Sequence, residues 1–263
     1  MSDILLVIIG FSIIFLMTTL GSAVVFVFRR DISKRLHCLL IGFAAGVMIA
    51  ASVWSLLLPS LEQASETMGS FSWVPAAVGF VIGGLFLEFL DKVVPHFHIG
   101  TNEEEGPNLH VRKSIKLFLA VMLHNIPEGL AVGFAFGAAS AAGEHAAYVS
   151  ALGLAIGIGI QNLPEGAAVT LPLYQVTRKK MRSFLFGMFS GAVEPLSAIV
   201  GFFLASSLVS LQPWMLAFAA GAMIFVVAED LIPDANVHDN PHSGTWGVMI
   251  GFVIMMILDV ALG

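Results

Sequence analysis

An all-α integral membrane protein with eight transmembrane helices is the fold class this sequence predicts, and three observations predict it. Only 11% of its 263 residues are charged and 57% are hydrophobic; a soluble domain carries ~25% charge. Eight stretches are apolar and approach the ~20 residues that a bilayer core requires of a helix. All twelve Lys and Arg residues fall in alternate connections between those stretches. Helices are expected rather than a barrel, because lipid offers backbone amides no outside partner and the two-residue alternation of barrel strands is absent.

The spans lie at roughly 4–28, 36–58, 73–95, 115–139, 147–173, 183–208, 212–233 and 245–262, within one transmembrane domain, 1–263. The first lacks a basic leader, and its apolar run exceeds the ~7–15 residues of a signal-peptide core, so it reads as a span. Arg29, Arg30, Lys34 and Arg35 follow it. The second span holds Met48, in Ala44-Ala45-Gly46-Val47-Met48; on spacing alone such a methionine is packing. Near the inner end of the third span, Glu88 and Asp91 read as interfacial or water-facing groups able to line an exit route.

Lys92, Arg112, Lys113 and Lys116 flank the longest polar loop, 96–113, which contains Glu103, Glu104, Glu105, His96, His98 and His110. A stretch of this composition is first a solvated connection, with transient metal holding by His96 and His98 as the functional alternative. Arg178, Lys179, Lys180 and Arg182 separate the fifth span from the sixth. By the positive-inside rule these basic loops are cytoplasmic and both termini are extracytoplasmic. Glu229 and Asp230, at the inner end of the seventh span, likewise read as interfacial or water-facing groups able to line an exit route, and Asp259 near the outer end of the eighth reads as reaching the headgroups. The Gly153-x3-Gly157 spacing, with Gly159 nearby, reads as close helix packing. A net charge of −6 and the lack of a basic face exclude a nucleic-acid partner, and the single cysteine, Cys38, excludes a disulfide framework or cysteine zinc finger.

The informative residues are polar ones in hydrocarbon, where a charge costs ~2.5–3.5 kcal/mol and faces a cavity or a partner. The fourth span contains His124-Asn125-Ile126-Pro127-Glu128-Gly129 and the fifth Gln161-Asn162-Leu163-Pro164-Glu165-Gly166. The sixth adds Glu194. His124 and Glu128 are i,i+4 and Asn125 and Glu128 are i,i+3, so they share one helix face, as do Gln161, Asn162 and Glu165. Consecutive helices on a short outer loop are antiparallel neighbours. Facing each other, they gather an imidazole, three amides and two carboxylates, with Glu194 available as a third. Like-charge repulsion and desolvation oppose that cluster unless a divalent cation completes it. Pro127 and Pro164 cannot donate to Leu123 and Ile160, so each helix carries a weakened turn at the site, the kind of interruption through which transporters present ligand oxygens. One such motif alone reads equally well as a kinked helix with an interhelical amide; two copies, a histidine and a third glutamate do not.

These paired motifs resemble the Zrt/Irt-like protein (ZIP) family of divalent metal transporters, in particular its bacterial GufA-like branch, and the similarity covers the whole chain. The resemblance implies an inverted repeat of helices 1–3 and 6–8 around helices 4–5. It also implies a multi-pass protein of the bacterial inner membrane, a homodimer with elevator-like motion, and metal moving down its gradient into the cytoplasm. Carried over, His124, Gln161 and Glu165 become ligands of a primary metal. Asn125, Glu128 and Glu194 become ligands of a second, with carboxylates bridging the two. Met48 is promoted from packing residue to ligand. Asn162 stands where other members have aspartate, which removes one negative charge from the second site. Glu229-Asp230 stands where some members have His-Glu.

One imidazole, carboxylates, amides and a thioether suit Zn²⁺ as the transported ion, with Cd²⁺, Fe²⁺ or Mn²⁺ as alternatives; an all-oxygen Mg²⁺ or Ca²⁺ site would not call for His124 or Met48. No organic cofactor is expected. The rival classes are an intramembrane metallohydrolase and a metal-gated channel. Against an enzyme, His-Glu-x-x-His is absent and only one histidine lies at mid-span.

Overall fold

The computed structural model describes residues 2–27, 33–97, 104–105, 113–236 and 241–262, and they are nearly all helical. Eight helices are long and apolar enough to cross a membrane. They are α1 (Asp3–Val27), α2 (Lys34–Phe71), α3 (Trp73–Val93), α4 (Lys113–Ala142), α5 (His145–Thr177), α6 (Lys180–Ser207), α7 (Val209–Asn236) and α8 (Pro241–Leu262). The only strand pairing among the described residues joins His96–Phe97 to Glu104–Glu105. His98 and His110 lie outside the described residues, as do Arg29, Arg30 and Arg112.

Four helix pairs have the most extensive contacts: α1 with α5, α4 with α6, α2 with α8 and α3 with α7. This pattern is what an inverted repeat requires. Exchanging α1–α3 with α6–α8, and α4 with α5, turns the α1/α5 pair into α6/α4 and the α2/α8 pair into α7/α3. The same residues recur at equivalent contacts. Phe43-Ala44-Ala45-Gly46-Val47-Met48-Ile49 in α2 is repeated as Phe218-Ala219-Ala220-Gly221-Ala222-Met223-Ile224 in α7. A Cβ on Gly46 would strike the carbonyl oxygen of Val248 in α8, and one on Gly221 would strike that of Phe80 in α3. Absent side chains let the helices touch backbone to backbone, which is how helices gain attraction in lipid.

Two further features repeat. Each of α2 and α7 contains a wide turn, Ser52–Leu57 and Val227–Leu231, in which Leu58 N–H donates to Val53 O and Ile232 N–H to Val227 O, five residues back. Pro59 and Pro233 follow immediately. A proline has no N–H to give and crowds the carbonyl four residues before it, and one inserted residue relieves both defects. This is why α2 continues to Phe71 where the apolar pattern predicts an end near 58.

α4 and α5, by contrast, run unbroken through Pro127 and Pro164. The interrupted helix is α6, which breaks at Ala192 between Lys180–Gly191 and Val193–Ser207, three residues before Pro195. The glycines of the paired motifs seat the neighbouring helices. Gly129 lies against the Glu194 carbonyl of α6, and a Cβ on Gly166 would come within 2.6 Å of Thr18 O on α1. Two other glycines of α5 act likewise: Gly157 packs on Met255 of α8 and Gly159 on Ile13 of α1.

Gly129→Ala and Gly166→Ala are expected to cost about 1–3 kcal/mol each through overpacking. Gly84→Ala, whose new methyl would have its nearest neighbour, Phe225, 3.8 Å away, is expected to be neutral or stabilising through helix propensity. Unfolding of the three variants in detergent, followed by circular dichroism, checks this order.

Candidate metal centre

The site lies where α1, α4, α5 and α6 meet. α4 contributes Asn125 and Glu128, α5 contributes Gln161, Asn162 and Glu165, and α6 contributes Glu194 at the first turn of its second segment; all six are buried, Glu128, Gln161 and Glu194 completely. Their i,i+3 and i,i+4 spacing on unbroken helices puts each set on one face, and the seated glycines bring those faces together.

Hydrogen bonds define how each group is oriented. Gln161 Nε2 donates to Glu128 Oε1. Asn125 Nδ2 donates to Ser190 O at 3.1 Å. Asn162 Nδ2 donates to Glu194 Oε2 at 2.6 Å, and Thr18 Oγ1 donates to Glu194 Oε1 at 2.7 Å. The NH2 groups of the amides are thus engaged. The acceptors Glu128 Oε2, Gln161 Oε1, Asn162 Oδ1 and Glu165 Oε2 are buried without a hydrogen-bond partner. Orphaned buried oxygens are costly, at ~1–3 kcal/mol each, and each such group in a native structure calls for an explanation. Beside them, Asn125, Asn162, Glu165 and Thr18 line a cavity of about 10 Å³, about the room one water needs.

The carboxylates repel one another. Glu165 and Glu194 both act on Glu128, and Glu165 acts on Glu194. Among the described residues, no three His, Cys, Asp or Glu side chains converge as a metal cage; amide oxygens stand among the carboxylates instead. His124 is half-buried at the edge of the cluster, its Nε2 3.0 Å from Asp230 Oδ2 of α7. Glu165 and Asp91 are its other charged neighbours.

Asn125, Glu128, Gln161, Asn162, Glu165 and Glu194 are gathered on the facing helices, with His124 beside them. Met48 is buried in the apolar core of α2, a helix that packs on α5, and makes none of the site's polar contacts. Two neighbours of these groups carry no distinguishing signal in the sequence. Thr18 lies uncharged in an apolar stretch, and Asp230, at the inner end of its span, has the pattern of an interfacial group. Only the helix pairing reveals them, although the alignment of Glu229-Asp230 with a His-Glu pair pointed at α7. Glu229 itself is exposed. Glu88 pairs with Lys92 on the exposed face of α3, as an interfacial group should. The expectation for Asp259 is corrected: it is partly buried and accepts from Ser55 Oγ of α2. The reason is register. Gly247, Gly251, Met255 and Asp259 repeat every four residues, and the two glycines put that face against α2.

A family model described as ZIP zinc transporter matches residues 102–259. The chain is 36% identical to zinc transporter ZIP11 of Homo sapiens, over 94% of each chain. It is 38% identical to zinc transporter ZIPB of Bordetella bronchiseptica, over 89% of this chain and 74% of that one. It is 33% identical to zinc transporter GufA of Myxococcus xanthus, over 94% of each.

Replacing Asn162 by aspartate removes the donor to Glu194 and adds a like charge beside it. In chelator the variant is expected to unfold at a lower temperature than the parent, and with Zn²⁺ its midpoint is expected to rise by more than the parent's does. A thermal-shift titration in both conditions checks the two signs. The chain belongs to the ZIP zinc transporter family, a family of transporters rather than enzymes.

Proposed function

From that membership we propose that the protein is a single transmembrane unit that carries zinc across the bacterial inner membrane into the cytoplasm. The observation that carries the reading is the group of orphaned oxygens on Glu128, Gln161, Asn162 and Glu165. A divalent cation arriving there gains buried oxygen ligands whose nitrogens are already tied elsewhere, so little rearrangement is needed. The carboxylate repulsion becomes attraction, because a +2 ion inverts the local electrostatics.

Within this reading His124, Gln161 and Glu165 hold the primary ion, with Met48 of α2 approaching it from the other side. Asn125, Glu128 and Glu194 hold a second ion, and carboxylates bridge the two. The donor at position 162 is neutral, so the second ion is bound more weakly than it would be by an aspartate. Imidazole and thioether donors favour Zn²⁺, with Cd²⁺, Fe²⁺ and Mn²⁺ as competing cargo.

The proposed path follows the boundary between two groups of helices, α1/α4/α5/α6 and α2/α3/α7/α8. At the end opposite the basic loops, a cavity of about 150 Å³ lies on that boundary, lined by Ser55 and Gln63 of α2, Ala139 of α4, Ala151 of α5 and Leu216 of α7. Towards the basic loops, Asp230 and Asp91 stand beside His124 as the next carboxylates. The orientation rests on the basic residues: both termini outside, the Lys and Arg loops inside. An elevator movement of one group past the other, within a homodimer, suits this division. His124–Asp230 crosses between the groups, whereas the bonds of Glu128 and Glu194 stay inside one, so the ligands on α4, α5 and α6 can travel together while that contact and the approach of Met48 break.

Glu128→Gln and Glu165→Gln are each expected to abolish saturable ⁶⁵Zn²⁺ uptake into proteoliposomes, with membrane insertion and helix content unchanged. Wild-type uptake by both variants would remove the site from the transport path.

A further inference from the structure

At the basic end of the molecule, away from the metal centre, a cavity of about 480 Å³ opens between the first turns of α2 and α8. Its polar lining is Arg35, Ser33, His242 and Ser243, and its apolar lining is Leu36, Leu39 and Trp246. Among the described residues no acidic side chain lines it. Both helices begin here, so two positive helix ends reinforce the Arg35 charge, and the exposed Lys34 stands beside it. Basic clusters directly below a transmembrane helix attract anionic lipid.

The apolar half of the lining distinguishes the ligand. Trp246 is 62% exposed and Leu36 41% exposed, and the open apolar surface continues up α8 through Met249, Ile250 and Val253. A free anion needs only the polar half. A molecule with an anionic head and an apolar tail uses both, with tryptophan at the level where one gives way to the other. Solvation alone does not require the two halves to share one cavity.

We propose that this cavity binds the headgroup of an anionic phospholipid, Arg35 and His242 contacting the phosphate and Leu36, Trp246 and the exposed face of α8 receiving the upper acyl chain. The site fixes lipid to the α2–α8 pair, outside the group of helices that holds the metal centre. It depends on neither the metal ligands nor zinc.

The test uses purified full-length protein in neutral detergent, with thermal unfolding followed in added phosphatidylglycerol, in phosphatidylcholine of the same chains, and in inorganic phosphate. Phosphatidylglycerol is expected to raise the midpoint by at least about 3 °C more than phosphatidylcholine does, the scale on which ligand linkage moves a domain of this size. Arg35→Gln with His242→Gln is expected to remove most of that difference, while Lys92→Gln with Lys179→Gln, at the same end, retains it. Ser243→Asp supplies an independent arm. An acid in the first turn of α8 supports the helix, so this variant is expected to fold at least as well as the parent and yet lose the phosphatidylglycerol preference. Equal shifts from the two lipids, a full difference in the Arg35/His242 variant or in Ser243→Asp, or the whole shift reproduced by inorganic phosphate would each overturn the proposal.

Discussion

Three carboxylates buried where a membrane is driest impose the constraint on which this structure turns. Glu128, Glu165 and Glu194 are shut away from bulk water, and a charge in hydrocarbon is tolerated only against a partner. The fold answers with neutral donors: Gln161 for Glu128, Thr18 and Asn162 for Glu194. Those donors come from α1 and α5 and reach carboxylates on α4 and α6, so the helices must lie very close, and that requirement explains Gly129 and Gly166. The answer is incomplete, because Glu128 and Glu165 each retain an unpartnered oxygen. That incompleteness is what a cationic cargo would relieve.

The two groups of helices divide structural from chemical tasks. Glu128, Glu165, Glu194 and their donors all belong to α1, α4, α5 and α6. The opposing group meets them chiefly through α2 on α5 and α7 on α4. Both helices are rich in small buried side chains: Ala44, Ala45, Ala50 and Ala51 on α2, and Ala217, Ala219, Ala220 and Ala222 on α7. Alanine faces present low ridges and few interlocking side chains, which suits surfaces proposed to slide. The wide turns before Pro59 and Pro233 lie in these two helices, so the inverted repeat carries the irregularity along with the smooth face.

Much of this was legible from residue order alone. The eight spans follow from hydrophobicity and length, because lipid removes the alternatives available to a soluble chain. The two six-residue motifs announce a polar site, since their spacing fixes which side chains share a face whatever the tertiary structure. What stayed hidden depends on contacts between distant segments. Thr18 looks like any threonine in an apolar helix until it meets Glu194. Asp230 looks interfacial until α7 brings it to His124. One signal was present and unused: Phe-Ala-Ala-Gly-x-Met-Ile occurs twice, in α2 and α7, and would have disclosed the internal repeat without any resemblance. The prolines misled in the opposite direction. Pro127 and Pro164 sit in unbroken helices, whereas α6 breaks near Glu194, because neighbouring helices can support a turn that has lost its hydrogen bond.

The sequence by itself determined the class, the span count and the face on which each polar group lies, since these follow from composition, periodicity and local spacing, and its paired motifs identified the family by resemblance. Only the tertiary structure decided which oxygens are engaged and which are left over. That choice is made by helix–helix distance, which glycines such as Gly129 and Gly166 set through contacts with chain segments far away in sequence. Local spacing can aim a carboxylate, but its partner is chosen by packing.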